Sequence, residues 1–316
     1  MTDLGKIIAI KAVELGFSAV GIASAEYDPV GHNNLLEWLV RGYQAGMGYM
    51  ERSPRKRYDP KIHLPEARSM IICAHNYFSQ PAENNGYVSI YARGENYHAV
   101  IKDKLGSLRD KITKRAGKFK SMIFVDSSPV GEKALAVRAG IGFIGKNGTL
   151  IIPKSKSGQP PGGSFHFLGV IVSDLELKPD TPATGTCGRC RRCIEACPTG
   201  AIVADGVIDA SRCISYHTTQ NKGEVDNEIA RKTGNMIFGC DICQIVCPYN
   251  KKHGETAEPR LRPRDDMVNI DPGIWRDMTA AEFEIRFRDT AIGDISFAMF
   301  HRNVEIAFEN TRTSAK

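Results

Sequence analysis

The sequence of 316 residues lacks any apolar run close to the roughly 20 residues that a helix needs to cross a bilayer. Its first twenty residues also lack the long apolar stretch and the cleavage site of a secretory signal, and they carry Asp3 and Glu14. We therefore expect a cytoplasmic protein that does not contact a membrane. In a reducing compartment, clustered cysteines are read first as metal ligands and only second as disulfides.

No extreme of composition or charge is present. Hydrophobic residues make up 42% and charged residues 25% of the chain, which excludes the disordered and fibrous classes. The net charge of +6 is mildly basic. Such a balance favours polyanionic partners, but many enzymes that never bind nucleic acid share it, so charge alone does not select a partner.

Apolar periodicity predicts helices and strands that alternate up to about residue 175, which indicates an α/β or α+β domain. The predicted helices cover residues 2–16, Ile101–Ile112 and Glu132–Ala139. The predicted strands are Phe17–Ala23, Ser69–Ala74, Met122–Val125, Thr149–Ile152 and Phe165–Val172. A cysteine-dense segment follows, and helical patterns return at Ala280–Phe287 and Val304–Asn310. We expect three units, at residues 1–178, 179–254 and 255–316.

Eight of the nine cysteines follow the pattern of a bacterial two-cluster ferredoxin. The first half has the spacing C-x2-C-x2-C-x3-C-P and ends at Cys197. The second half ends in the same way at Cys247 but lacks one cysteine, which Cys213 supplies. Pseudo-twofold exchange assigns Cys187, Cys190, Cys193 and Cys247 to one 4Fe-4S cluster and Cys197, Cys213, Cys240 and Cys243 to the other.

A pair of zinc sites is the alternative reading, because zinc also binds four cysteines. Zinc sites usually consist of separated C-x2-C pairs, in which the crossed x3-C-P endings would have no purpose. The spacing therefore favours iron–sulfur clusters. The ninth cysteine, Cys73, lies in an apolar run and is predicted to be a small core residue.

Each of the other candidate residues has a structural interpretation as well as a functional one. The segment Gly140–Lys146 contains G-x-G-x-x-G, but it follows a predicted helix, whereas the dinucleotide motif follows a strand. Its glycines are expected to let the backbone approach another segment or a flat cofactor. Asp126 follows the predicted strand Met122–Val125, where an acid could act, yet the local sequence favours an N-cap for the next helix. Tyr97-His98 could be a cap or a cofactor contact, and Arg57 is by default a solvated charge.

Basic residues crowd two segments near the cysteines. Such runs are usually solvated faces, but beside a redox centre they could bind a phosphate backbone or an acidic electron donor. The residues are Arg189, Arg191 and Arg192 in the first cysteine loop, and Lys251, Lys252, Arg260, Arg262 and Arg264 after the second.

Taken together, these motifs resemble epoxyqueuosine reductase from about residue 3 to residue 310. The segments that carry the resemblance are Asp59 with Leu64–Ser69, Tyr91–His98, Val125–Pro129, Arg138–Lys146, Arg212–Tyr216 and Gly234–Pro248. The resemblance implies an α+β fold in which a nitroreductase-like cobalamin-binding domain is followed by a ferredoxin-like two-cluster module and a short helical C-terminal segment.

The activity that the resemblance implies is removal of the epoxide oxygen from epoxyqueuosine at the wobble position of tRNA, giving queuosine. Electrons would pass from a reduced donor such as ferredoxin or flavodoxin through the two 4Fe-4S clusters to cobalamin, in a monomer. Asp126 would be the proton donor, which overturns the local preference for a cap. Arg57, Tyr97 and His98 would line the cobalamin pocket, and Gly142 and Lys146 lie in the glycine-rich segment.

The sequence contains no Asp-x-His-x-x-Gly motif, so a base-off cobalamin without a histidine from that motif is expected. Two features depart from the family. The Lys154–Ser164 loop is longer, and many relatives continue past residue 316 into helical repeats that embrace tRNA. These differences bear on RNA affinity rather than on chemistry.

Two other functional classes stay open: a cobalamin-dependent reductase of a small molecule, such as a dehalogenase, and an electron-transfer ferredoxin.

Overall fold

A computed structural model describes residues 4–81, 86–126, 129–153, 162–251, 253–268 and 270–314. Its α-helices are α1 (Leu4–Glu14), α2 (Pro29–Val40), α3 (Tyr97–Ala116), α4 (Glu132–Arg138), α5 (Arg192–Ala196), α6 (Ile214–Thr219), α7 (Asn227–Thr233), α8 (Ile242–Ile245), α9 (Pro272–Arg276), α10 (Ala280–Phe287) and α11 (Phe297–Ser314). Across these ranges, no helix is both long enough and apolar enough to span a membrane.

The strands are β1 (Ala19–Ser24), β2 (Ser69–Asn76), β3 (Tyr87–Val88), β4 (Ser121–Phe124), β5 (Phe143–Ile144), β6 (Leu150–Ile151), β7 (His166–Ser173), β8 (Ile202–Ala204), β9 (Val207–Ile208) and β10 (Met236–Phe238). The predicted helices and strands are confirmed, with ends that shift by up to seven residues, the largest difference being at the start of α11. The helix α2 was not predicted. Asp28 caps it and Pro29 occupies its first turn, and this Asp-Pro pair was the available signal.

A four-stranded sheet in the order β1-β2-β7-β4 forms the centre of the first part of the chain. All three neighbouring pairs are antiparallel, which decides between the two fold classes in favour of α+β. The two long central strands pair from Ser69 with Ser173 to Asn76 with His166.

Both faces of the sheet are covered by helices, as the uninterrupted apolar sequence of β2 requires. Alternate residues of a strand point to opposite faces. Ile71 and Cys73 accordingly belong to the core cluster under α1 and α3, whereas Met70 and Ile72 belong to the cluster under α4. Cys73 is fully buried, so the prediction of a core cysteine is confirmed.

A third core cluster joins parts of the chain that are far apart in sequence. The strand β10 pairs in parallel with β3, and α9, α10 and α11 pack around both. Aromatic rings dominate this cluster, with Phe283 and Phe300 at a centroid separation of 4.9 Å. This cluster contains residues from all three expected units. The boundaries at 178/179 and 254/255 therefore stay a prediction.

We predict that Gly142→Ala destabilises the protein whereas Gly106→Ala does not. A Cβ atom at residue 142 would lie 2.3 Å from the backbone oxygen of Ile151, which cannot move without breaking the β5–β6 pair. The expected loss of unfolding free energy is about 1–3 kcal/mol. Residue 106 faces open space in α3, so alanine there should stabilise by roughly 0.5–1 kcal/mol. Urea midpoints measure both; equal midpoints would contradict the close approach.

Candidate functional site

Asp126 lies where β4 ends and contacts the first turns of two helices. Its φ of 49° is in the left-handed region, which few non-glycine residues adopt. Its backbone N–H donates to Oε1 of Glu132 at 2.7 Å. The Tyr97 hydroxyl donates to Oδ2 of Asp126, and Nε2 of His98 lies 3.4 Å from the same oxygen. The structure therefore brings together three of the predicted site residues.

The start of α3 fixes the orientation of the His98 ring. Asn96 caps the helix by accepting from the His98 backbone N–H at 3.1 Å, and the same side-chain oxygen lies 2.9 Å from Nδ1 of His98. Asp294 is 3.8 Å from Nδ1. Both ring nitrogens thus face acceptors, so a doubly protonated ring could donate from each.

Asp126 is not the N-cap of α4, contrary to the expectation from local sequence alone. The cap position is Gly131, and no side chain caps this helix end. Ser127 and Ser128, which belong to the same turn, lie outside the described residues.

The pKa shifts in this site diverge. Hydrogen bonding from His98, and then from Tyr97, holds the pKa of Asp126 below its usual value, although burial opposes this. Burial raises the pKa of Glu132 to about 8 and lowers that of Lys133. At neutral pH Asp126 is therefore ionised while Glu132 keeps its proton.

Water still reaches Asp126, whose side chain is 63% exposed. A carboxylate this exposed can be approached by a substrate.

A group of packed aromatic rings lies beside Asp126. Tyr97 stacks in parallel on Phe167 with a centroid separation of 4.3 Å, and Phe167 lies at the same separation from Tyr77. Tyr91 meets Tyr97 edge-on at 6.0 Å. Burial and the Asp126 charge raise the pKa of Tyr97, so its hydroxyl keeps its proton and can act as a donor.

Arg57 is held in place and is not a freely solvated charge. It ends a short 3-10 helix, Pro54–Arg57, and its guanidinium lies 6.0 Å from the Tyr49 ring centroid. Its carbonyl accepts from the Gly131 N–H at 2.8 Å, which connects it to the start of α4. Its Nε is buried and, over the described residues, has no hydrogen-bond partner. The Asp126 charge also contributes to the raised pKa of Tyr49, after burial, so these residues share one environment.

The first expected cluster set surrounds a single cavity. Its lining residues are Lys146, Asn147, Cys187, Cys190, Cys193, Cys247, Pro248 and Tyr249. The Lys146 backbone N–H points at the sulfur of Cys187 over 3.5 Å, and its Nζ pairs with Asp205 at 3.2 Å. The structure thus places Lys146 at this cavity, and Gly142 against the backbone of Ile151.

The cysteines of the second set influence one another's pKa values. Cys240 and Cys243 both lie within electrostatic reach of Cys213, and Cys240 is also within reach of Cys197. The Ala201 N–H donates to the sulfur of Cys197 at 3.4 Å. All nine cysteines are free. Burial raises the pKa of Cys240 to about 12, so bound metal would have to displace protons from these thiols.

Tyr91 connects the second cysteine set with the Asp126 site. Its pKa is raised by burial, by Asp241, which follows Cys240, and by Asp126. The negative charges of Asp126 and Asp241 therefore both act on the Tyr91 hydroxyl.

No local feature of the sequence marks Glu132, Lys133, Phe167 or Asp241 as a site residue. Glu132 could have been read only as an ordinary acid in the first turn of a helix, because its contact with Asp126 depends on the tertiary fold.

Two family models match the chain. One, "4Fe-4S double cluster binding domain", matches residues 186–250, and the other, "Epoxyqueuosine reductase QueG, DUF1730", matches residues 57–127. The first match supports iron–sulfur clusters over the zinc alternative. The epoxyqueuosine reductase of Cellulophaga algicola is 37% identical over 301 residues, which are 95% of this chain and 96% of that protein.

Solved structures agree with these matches. A crystal structure of epoxyqueuosine reductase with an epoxyqueuosine-modified tRNA-Tyr stem loop has a TM-score of 0.90 and 29% identity, covering 99% of this chain and 82% of that one. A Bacillus subtilis epoxyqueuosine reductase, whose catalytic aspartate loop is swung out of the active site, has a TM-score of 0.90, 28% identity and the same coverage.

We predict that Cys213→Ala removes one cluster and Cys73→Ala removes none. Loss of one ligand from the second set should lower the iron content of anaerobically reconstituted protein from about eight atoms to about four. Cys73 is a matched control, because it is a buried cysteine within the sheet. Iron and sulfide analysis measures the difference. Eight iron atoms in the Cys213 variant would exclude Cys213 as a ligand.

Proposed function

Because this chain belongs to the epoxyqueuosine reductase family, we propose that it reduces epoxyqueuosine to queuosine at the wobble position of tRNA, with Asp126 as the proton donor. It is an oxidoreductase of queuosine biosynthesis and contains a 4Fe-4S binding domain. The observation that carries the finer proposal is the contact of the Asp126 carboxylate with Tyr97 and His98, beside the Tyr91 ring that meets Tyr97 edge-on.

The two cysteine sets are proposed to hold one cluster each, as their spacing predicts. The cavity inside the first set and the backbone N–H groups directed at sulfur fit this role, because such hydrogen bonds tune cluster potentials. Residues 1–178, 179–254 and 255–316 remain our division into a nitroreductase-like cobalamin domain, a cluster module and a helical segment.

We propose that base-off cobalamin binds at this site. The stacked and partly exposed rings of Tyr97 and His98 offer an aromatic surface, and the buried Nε of Arg57, which has no partner among the described residues, offers a hydrogen-bond donor. Arg57, Tyr97 and His98 would hold the cofactor, whereas Gly142 and Lys146 would act through the segment that packs beside the first cysteine cavity. When bound, cobalamin supplies the electrons for cleavage of the C–O bond.

Converting the epoxide to an alkene consumes two electrons and two protons and releases the oxygen as water. The leaving oxygen therefore needs an acid, because an alkoxide is a poor leaving group. Asp126 is ionised in the free protein, so it must take up a proton when substrate covers it. Removal of water raises the pKa of a carboxylate, and Nε2 of His98 is 3.4 Å away as a neighbouring proton donor.

The partners follow from this activity. A related enzyme was crystallised with an epoxyqueuosine-modified tRNA stem loop, which supports RNA as the substrate here. A reduced, acidic donor such as ferredoxin or flavodoxin would meet the first cluster, because the exposed Arg189, Arg191 and Arg192 adjoin its cysteines. We propose that the protein acts as a cytoplasmic monomer.

The protein reconstituted with iron, sulfide and cobalamin under reducing conditions should convert epoxyqueuosine in tRNA to queuosine. Mass analysis of the nucleosides from the treated tRNA measures this, with protein lacking cobalamin as the control. Retention of cobalamin without queuosine would instead indicate a reductase of small molecules. Failure to retain cobalamin would indicate an electron-transfer protein.

Asp126→Asn should keep iron and cobalamin contents but lower turnover roughly 10²- to 10⁴-fold, the usual contribution of a general acid. Asparagine preserves the size of the side chain but carries no proton to donate. Asp110→Asn is the matched control, since Asp110 is exposed on α3. Turnover equal to that of the control would remove Asp126 from the mechanism.

A further inference from the structure

The backbone of Asp126 needs a partner to keep its conformation. A non-glycine residue at φ 49° persists only where its surroundings fix it. Tyr97 and His98 contact the side chain, and among the described residues the Asp126 N–H donates to Oε1 of Glu132 at 2.7 Å.

Glu132 is anchored on a rigid element. It is the first residue of α4, whose Leu135 and Ala136 are buried in the core cluster against the central sheet. The residue before it, Gly131, donates its N–H to the Arg57 carbonyl at 2.8 Å. The position of the Glu132 carboxyl is therefore set by the sheet and by the Arg57 segment.

The charges around Glu132 are compatible with its hydrogen bond to the Asp126 N–H. The titratable groups that interact with Glu132 are Asp126 after β4, Lys133 on α4 and Tyr97 on α3, and His98 contacts Asp126. Burial raises the pKa of Glu132 to about 8, and the Asp126 charge adds to the shift. A neutral carboxyl can accept the amide hydrogen through its carbonyl oxygen without placing a second negative charge beside Asp126.

We propose that Glu132 is a positioning residue for Asp126: its carboxyl oxygen holds the Asp126 amide and thereby keeps the Asp126 carboxylate against Tyr97 and His98. This inference rests on the proposed function and deepens it, because it assigns the group that aims the proton donor. Glu132 acts as a neutral hydrogen-bond acceptor and transfers no proton to the substrate.

The test compares Glu132→Gln, which keeps a neutral acceptor, with Glu132→Ala, which removes it. Hydrogen–deuterium exchange of the peptide that contains the Asp126 amide should be faster in Glu132→Ala than in wild type and unchanged in Glu132→Gln. With reconstituted protein, Glu132→Ala should lower kcat about tenfold or more with unchanged KM, and Glu132→Gln should restore it at pH 7. Glu176→Ala, at an exposed surface pair with Arg68, is the control.

Rescue by Glu132→Gln separates positioning from general stabilisation of the fold, because glutamine keeps an acceptor oxygen for the Asp126 amide and carries no ionisable proton. Wild-type exchange and kcat in Glu132→Ala would overturn the inference. Loss of kcat in Glu132→Gln as large as in Glu132→Ala would also overturn it, because the carboxyl proton would then be required. If wild type itself forms no queuosine, the proposed function fails, whereas the exchange result still tests the hydrogen bond.

Discussion

A buried carboxylate, Asp241, fixes the cysteine segment to the first part of the chain. It is 1% exposed and accepts hydrogen bonds from the Tyr87 hydroxyl at 2.9 Å, the Ser89 hydroxyl at 2.6 Å and the Ile90 N–H at 2.7 Å. A buried charge is costly unless it is fully hydrogen-bonded, so three donors and the nearby buried guanidinium of Arg93 are needed to keep it there. Because Asp241 lies between two expected cluster ligands, and the segment that it binds leads directly into α3, this interaction fixes the second cysteine set relative to Tyr97 and Asp126.

Local patterns predicted the elements of the fold but not their arrangement. Apolar runs of strand length found β2 and β7, and the period-3.6 pattern found α3 and α10, since burial imposes each pattern on its element separately. The insertion of β7 between β2 and β4, and the pairing of β10 with β3, depend on contacts between residues about 50 to 150 positions apart, for which the sequence has no local signal. The cysteine sets were assigned in advance because spacing within a loop constrains which thiols can share a cluster.

The candidate site, too, could be predicted only in part from the sequence. Asp126 after a strand and before a helix is the common sequence of an N-cap, and only the resemblance of the whole chain to a family favoured an acid. The structure explains why the local reading is wrong, since the left-handed backbone of Asp126 turns its carboxylate toward α3 and leaves Gly131 at the cap position of α4. Glu132 and Lys133 acquire their shifted pKa values from burial, which no feature of the sequence Gly131–Lys133 could indicate.

The basic residues separate into two groups once their partners are known. Arg260 pairs with both Glu95 and Asp103 and so links the C-terminal segment to the region of α3, whereas Arg264 pairs with Asp266 inside the C-terminal segment. The arginines of the first cysteine loop are exposed, and the ion pair between Arg191 and Glu195 is long, at 4.0 Å. An exposed pair of this kind contributes little to stability, so these charges remain available to a partner. In the proposed function the two cysteine sets therefore have different neighbours: the first lies beside free positive charge, and the second beside the buried Asp241 and the aromatic residues that lead to Asp126.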